Sequence, residues 1–145
     1  MRISNALSLL VIIMAMPTFV KNAEAQSRID LVVDSVQVNP SRLSANPKVE
    51  VVAVIRNNGS EQVENVSLEV DILKEGKRVK AIKDIPVLAH LPRSGSGQGL
   101  PISVGALPVG SYEALVKVDP DNQIPETDEK NNEKKVKFDV SEPLA

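Results

Sequence analysis

One stretch of the chain concentrates residues that could bind a cation. Between Asp119 and Glu133 the sequence holds six acids and one base, Lys130, and we call this stretch the acidic loop. Calcium prefers six to eight oxygen ligands from carboxylates, amide carbonyls and the backbone. The acidic loop therefore predicts a calcium site. Its expected ligands are Asp119, Asp121, Asn122, Glu126, Asp128 and Asn131.

The same side chains allow a second interpretation. The spacing is not that of an EF-hand, because Gln123 and Ile124 stand where that motif needs Asp or Asn and then glycine. Asp and Asn side chains often accept hydrogen bonds from nearby backbone amides and so fix the shape of a long connection between strands. The sequence leaves calcium binding and structural hydrogen bonding both open.

The chain offers no catalytic constellation. His90, the single histidine, lies in the irregular stretch Leu88 to Pro92. Ser94 and Ser96 lie in a Gly-rich loop, without the rigid turn that presents a serine nucleophile. With one histidine and no cysteine, the chain also lacks the usual ligands of a transition metal. We therefore expect no enzyme, no catalytic residue and no cofactor apart from the calcium considered above.

The elements that would position these residues are strands. Apolar and polar residues alternate along most of the chain, and no segment has a helical stripe. The first strand runs from Leu31 to Val38, with a bulge near Ser35, and the cleanest half-buried strand runs from Val66 to Ile72. About seven such strands, separated by turn residues, predict an all-β sandwich.

Tyr112 opens the penultimate predicted strand. Immunoglobulin-like sandwiches place a tyrosine there whose hydroxyl bonds back to the upstream backbone. A core aromatic residue without any such bond is the alternative.

Two surfaces could meet a partner. A contiguous patch of outward-facing apolar residues would indicate a protein contact, although slips in strand phase would produce the same pattern. These residues are Val52, Val54, Leu73, Ile82 and Leu115.

Lysines on the last strand, with Lys117 beside them, either guard a sheet edge against aggregation or contact an anionic surface polymer. They are Lys134, Lys135 and Lys137.

The first 25 residues have the layout of a secretory signal peptide. Arg2 precedes an apolar run from Ala6 to Met16, and small residues at Ala23 and Ala25 follow. The run is shorter than the roughly 20 residues that a spanning helix needs. We expect cleavage after Ala25, no membrane insertion afterwards, and a secreted or periplasmic protein.

The mature chain is then expected to be one domain, residues 26–145, with its core at about 29–140. Removing the leader changes 17 bases and 19 acids to 15 and 18, because it takes away Arg2, Lys21 and Glu24. This mixed, mildly acidic balance argues against a nucleic-acid partner.

Several segments together resemble the CARDB family, the cell-adhesion-related domain found in bacteria. The matching segments are DLVVDSVQVNP, VVAVIRNNGS, SLEVDILKEGK, the Leu107-Pro108-x-Gly110-x-Tyr112 approach, and VDPDNQIPETDEKNNE in the acidic loop. The resemblance implies a seven-stranded immunoglobulin-like β-sandwich on an exported bacterial or archaeal protein. Family members usually occur as modules of larger surface proteins.

These observations predict a secreted, non-catalytic binding or adhesion-type module that contacts a protein or a cell-surface ligand. One alternative is a periplasmic accessory or chaperone-like protein that binds client strands by addition to a sheet edge. Another is a carbohydrate-binding module. The scarcity of aromatic residues disfavours that alternative, because only Tyr112 and Phe138 remain in the mature chain to stack on a sugar.

Overall fold

The computed structural model of the protein describes residues 28–40, 48–87, 91–93, 95 and 97–142. The strands are β1 (Leu31–Pro40), β2 (Lys48–Asn57), β3 (Ser67–Lys74), β4 (Lys77–Pro86), β5 (Gln98–Ala106), β6 (Gly110–Val118) and β7 (Glu133–Val140). The part of the chain so described contains no helix long and apolar enough to cross a membrane. The predicted signal peptide lies outside these residues.

The strands form two antiparallel sheets, and the apolar alternation explains how they pack. One sheet has the order β1-β2-β5 and the other the order β4-β3-β6-β7. Alternate residues of each strand point to one face, and the apolar set is buried between the sheets. On β2 and β3 this set comprises Val49, Val51, Ala53, Ile55, Leu68, Val70 and Ile72. The predicted all-β, immunoglobulin-like sandwich of seven strands is confirmed.

Tyr112 anchors the approach to β6. Its hydroxyl donates to the carbonyl oxygen of Pro108 over 2.7 Å. Its ring is 4% exposed and stacks on Phe138, with the ring centroids 5.6 Å apart. The hydroxyl thus bonds back to the upstream backbone, as the first of the two interpretations predicts.

Strand β3 differs from the half-buried strand that its alternation predicts. Its outward-facing acids Glu69 and Asp71 are only 9% and 4% exposed. Arg78 of β4 and Lys117 of β6 reach them from either side, at 3.5 Å and 3.2 Å from the Asp71 carboxylate oxygens. Because β3 lies between two strands with long basic side chains, its polar face is covered as well as its apolar face.

Irregular pairing changes which residues face the core. The shift in β1 between Val33 and Ser35 confirms the predicted bulge. Two further shifts interrupt the pairing of β3 with β4, and as a result Ile82 packs against the core. Its expected outward orientation is therefore wrong, and the cause is a slip in strand phase. The other four residues of that predicted patch, Val52, Val54, Leu73 and Leu115, are half-buried on the outer faces of two different sheets, so the five form no single patch.

The two sides of the sandwich are closed differently. On one side the edge of β1 lies beside β7, where Lys134 Nζ donates to the carbonyl oxygen of Asp34 over 2.7 Å. On the other side β4 and β5 are the outer strands. There the Lys80 ammonium donates to the carbonyl oxygen of Val104. Of the four edge strands, β1 and β7 thus lie beside each other, and we call the other two, β4 and β5, the outward edges.

Candidate functional site

The acidic loop connects β6 to β7 and lies against the beginning of β1, which belongs to the other sheet. The amide of Thr127 donates to the carbonyl oxygen of Ile29 over 2.9 Å. The amide of Val33 donates to the carbonyl oxygen of Asn131 over 3.4 Å. The loop therefore joins the two sheets at one side of the sandwich.

Asp119 shapes the first turn of the loop. It is 8% exposed. Its two carboxylate oxygens accept hydrogen bonds from the amides of Gln123 and Ile124, at 3.1 Å and 2.9 Å. Its backbone is in the left-handed region, with φ at 46°, a conformation that Asp and Asn tolerate better than most residues. Both oxygens of this predicted calcium ligand thus have partners within the loop.

Glu126 fastens the loop to β1. One carboxylate oxygen accepts a hydrogen bond from the amide of Leu31, and the other accepts one from the Asn132 side-chain amide, each over 2.6 Å. Burial raises the pKa of Glu126 from 4.5 to about 7, although these two hydrogen bonds act to lower it. The nearby charges of Glu129 and Asp119 raise the pKa further. Desolvation therefore outweighs hydrogen bonding at this carboxyl group.

The remaining predicted ligands have separate partners. Asp128 accepts a hydrogen bond from the amide of Lys130 over 2.9 Å. Asn122 satisfies its hydrogen bonding with its amide nitrogen turned toward the Glu129 carboxylate, 2.8 Å away.

Asn131 donates to Asp30 over 2.8 Å, and Asp121 is exposed. Glu126 thus contacts Asn132, and Asn131 contacts Asp30, so these two predicted ligands bond to other residues and not to each other. Across the described ranges, no group of three or more Asp, Glu or His side chains is arranged to hold a metal ion.

Two amide oxygens in the loop nevertheless lack donors. The Oδ1 atoms of Asn131 and Asn132 are buried and accept no hydrogen bond from any residue that the structure describes. A buried polar atom without a partner costs free energy. Both atoms are of the chemical type that calcium binds.

Asn57 is an organising residue that the sequence interpretation missed. It is 0% exposed. Its Oδ1 accepts hydrogen bonds from the amides of Asp30 and Gly59, at 3.3 Å and 3.0 Å, and its Nδ2 donates to the carbonyl oxygen of Glu61 over 2.6 Å. The Asn-Asn-Gly sequence indicates only a turn. Only the position of Asn57 as the last residue of β2 could have suggested that its side chain is buried.

Two of the four lysines of the predicted basic face are paired with acids. Lys117 contacts Asp71, Lys135 lies 3.5 Å from Glu113, and Lys134 donates to the backbone of β1. The two ion pairs reduce the positive charge of this face, while Lys134 and Lys137 are exposed and have no acidic partner among these contacts.

Other predicted residues fall outside the described part of the chain. They are His90, Ser94 and Ser96. Gly95, which lies between the two serines, is held at both polar groups of its backbone. Its amide donates to the carbonyl oxygen of Asn57 over 3.0 Å, and its own carbonyl oxygen accepts from Arg56 over 2.9 Å.

Comparison with known families is consistent with this architecture. The CARDB family model matches residues 28–136, which is more than half of the 145-residue chain. The protein belongs to the CARDB family. No curated protein matches the chain.

Two solved domain structures are similar to this CARDB protein. A CARDB domain from Pyrococcus furiosus, solved in complex with di-metal ions, is 22% identical, with a TM-score of 0.58, and the match covers 77% of this chain and 93% of that one. A domain of a Methanosarcina acetivorans protein assigned to the cell surface is 25% identical, with a TM-score of 0.55, and the match covers 80% and 95%.

A third similar structure has a different context. A beta-glucuronidase of glycoside hydrolase family 2 is 13% identical, with a TM-score of 0.54, and the match covers 76% of this chain but 12% of that enzyme. This likeness shows the fold alone. CARDB domains are non-catalytic modules, and family membership suggests a cell-surface or adhesion-related module.

The raised pKa of Glu126 predicts a specific pH dependence of stability. Because its pKa is about 7 in the folded chain and 4.5 without burial, the folded state holds this proton more tightly. The resulting stabilisation is complete below pH 4.5 and is lost as the pH rises to about 7. Denaturant unfolding across this range should therefore show wild type gaining stability relative to Glu126→Gln as the pH falls.

The matched control is Glu133→Gln, which makes the same charge change at an exposed position at the end of the loop. It separates the loss of one negative charge in the loop from the loss of the buried carboxyl group. Parallel stability curves for wild type and Glu126→Gln would show that burial does not govern this carboxyl group.

Proposed function

We propose that this CARDB protein is an exported, non-catalytic binding module that contacts a protein or a cell-surface ligand. Support comes from the family, whose domains are non-catalytic. It also comes from the acidic loop, where Asp119 and Glu126 bond to the chain's own amides. A side chain held in this way is a structural element rather than a reactive group.

The observation that carries the proposal is the surface of edge strand β4. Among the described residues, two large apolar side chains are exposed, Val79 at 53% and Val109 at 50%, and Val79 lies on this strand. Exposed cations flank it at Lys77, Arg78 and Lys83. Protein contacts commonly have an apolar centre and a polar rim. The contact surface would therefore be β4, and the ligand would carry acidic groups around an apolar one.

The edge-addition alternative receives less support from the same strands. The pairing of β3 with β4 is shifted twice, and β4 carries several lysines. The other outward edge, β5, contains Pro101, which has no amide hydrogen to donate. Shifts, lysines and proline are devices that oppose the pairing of a further strand. Contact through side chains of β4 fits these edges better.

The carbohydrate alternative lacks a stacking platform. Tyr112 is 4% exposed, and its ring packs on that of Phe138. These are the aromatic residues of the predicted mature chain. Phe138 is half-buried with its ring stacked on that of Tyr112, so neither ring forms an open platform for a sugar.

Site-resolved photo-crosslinking in the native cell envelope tests the proposed surface. A photoreactive residue at Val79 should give a discrete protein or polymer adduct, because this position would be covered in the complex. The adduct should be lost when Lys77→Glu and Lys83→Glu are added. The matched control is the same photoreactive residue at Gln37, which is exposed on the outer face of the other sheet. Equal adducts at both positions, or none at Val79, would refute β4 as the contact surface.

We also propose calcium binding by the acidic loop as a second function. The favouring observation is the pair of buried amide oxygens of Asn131 and Asn132 that lack donors. The similar Pyrococcus furiosus domain was solved in complex with di-metal ions. A cation held there would draw on these oxygens and on Glu126, and it would act as a structural crosslink within the loop.

Calcium at about ten times its dissociation constant should raise the melting temperature by about 5 °C, because a ligand of the folded state stabilises by mass action. Replacing Asn131 and Asn132 together by Ala should abolish the rise, whereas Asp121→Asn, a change at an exposed residue outside this set of oxygens, should preserve it. Melting curves of wild type that coincide in millimolar calcium and in chelator would contradict calcium binding.

A further inference from the structure

The end of β2 carries the sequence Asn57-Asn58-Gly59, in which Asn58 is exposed. An asparagine followed by glycine is chemically labile, because glycine has no side chain to hinder attack of its own amide nitrogen on the preceding side chain. The nitrogen of Gly59 would attack Cγ of Asn58 and expel ammonia, which leaves a cyclic succinimide. Water then opens the ring to an aspartyl or an isoaspartyl residue.

The fold requires the glycine. A Cβ at position 59 would stand 2.0 Å from the carbonyl oxygen of Arg28, far inside contact distance. This close approach allows the amides of Ser60 and Glu61 to donate to the same carbonyl oxygen, at 2.8 Å and 3.2 Å. Replacing Gly59 to remove the labile sequence would therefore break the contact between the 28–30 segment and the end of β2.

The attacking nitrogen is engaged in the folded chain. The Gly59 amide donates to Oδ1 of Asn57 over 3.0 Å. Asn57 is 0% exposed and is held in turn by the amide of Asp30 and the carbonyl oxygen of Glu61. The nitrogen must lose its proton to attack, and a proton held in a buried hydrogen bond leaves only when the site opens.

We propose that Asn58–Gly59 is a site of spontaneous deamidation and that the buried carboxamide of Asn57 keeps the reaction slow in the folded protein. The isoaspartyl product inserts a methylene group into the main chain and adds a negative charge beside Asp30. It would move the Gly59 amide away from Asn57 and weaken the bonds to Arg28. Conversion would therefore loosen the first strand where the acidic loop also holds it.

Peptide mapping by mass spectrometry of aged wild-type protein tests this proposal. At mildly alkaline pH, Asn58 should convert at least about tenfold more slowly in native buffer than in urea, the factor expected from one protecting hydrogen bond. Asn65, which is exposed but followed by Val66, is the internal control and should convert slowly in urea. Equal rates for Asn58 in both conditions, or equal rates for Asn58 and Asn65 in urea, would overturn the proposal.

The role of Asn57 is tested by substitution in the native protein. Asn57→Ala should speed conversion at Asn58 about tenfold, whereas Tyr112→Phe, which loses a hydrogen bond at a distant site, should leave that rate unchanged. If Asn57→Ala does not fold, hydrogen exchange of the Gly59 amide in wild type decides instead. A protected amide supports the proposal, and an amide that exchanges freely refutes it.

Discussion

Hydrogen bonds between the acidic loop and the beginning of β1 hold the two sheets together at one side of the sandwich. The loop belongs to the connection between β6 and β7, whereas β1 belongs to the other sheet. Glu126 accepts the amide hydrogen of Leu31, and Asn131 donates to Asp30. β1 pairs as a strand only with β2, so these side-chain bonds, together with that of Lys134 to Asp34, tie it to the other sheet.

This constraint explains why Asp119 and Glu126 turn inward, whereas the other four acids of the loop are exposed. Asp119 and Glu126 satisfy amides that would otherwise be buried without acceptors, which is a costly condition. Asn57 likewise fixes the segment that precedes β1, because its side-chain oxygen accepts a hydrogen bond from the amide of Asp30. The chain has no cysteine, so these polar side chains, and no disulfide, fasten the segment before β1.

The part of the fold that depends on local alternation could be predicted from the sequence. The strands, their all-β sandwich and the bulge in β1 follow from residue order, and the family resemblance adds the immunoglobulin-like type. The hydroxyl bond of Tyr112 is one of two interpretations that the sequence leaves open, and the structure decides for it. Contacts between distant segments could not be predicted in the same way. Burial of Glu69 and Asp71 requires Arg78 and Lys117 from two other strands.

The inward orientation of Ile82 depends on shifts that alternation does not reveal. The acidic loop shows both what local sequence can predict and what it cannot. Its composition predicts a set of oxygen ligands, but the partner of each oxygen depends on where the amide of Leu31 lies, 95 residues away in the chain.

Hydrogen exchange of the Leu31 amide, resolved by NMR, tests the joining of the two sheets most directly. In wild type this amide should be protected, because Glu126 holds it. In Glu126→Ala it should exchange about tenfold faster, while the amide of Val51 in central strand β2 should not change. If Leu31 is unprotected in wild type, or if Glu126→Ala leaves its exchange unaltered, the acidic loop does not hold the sheets together.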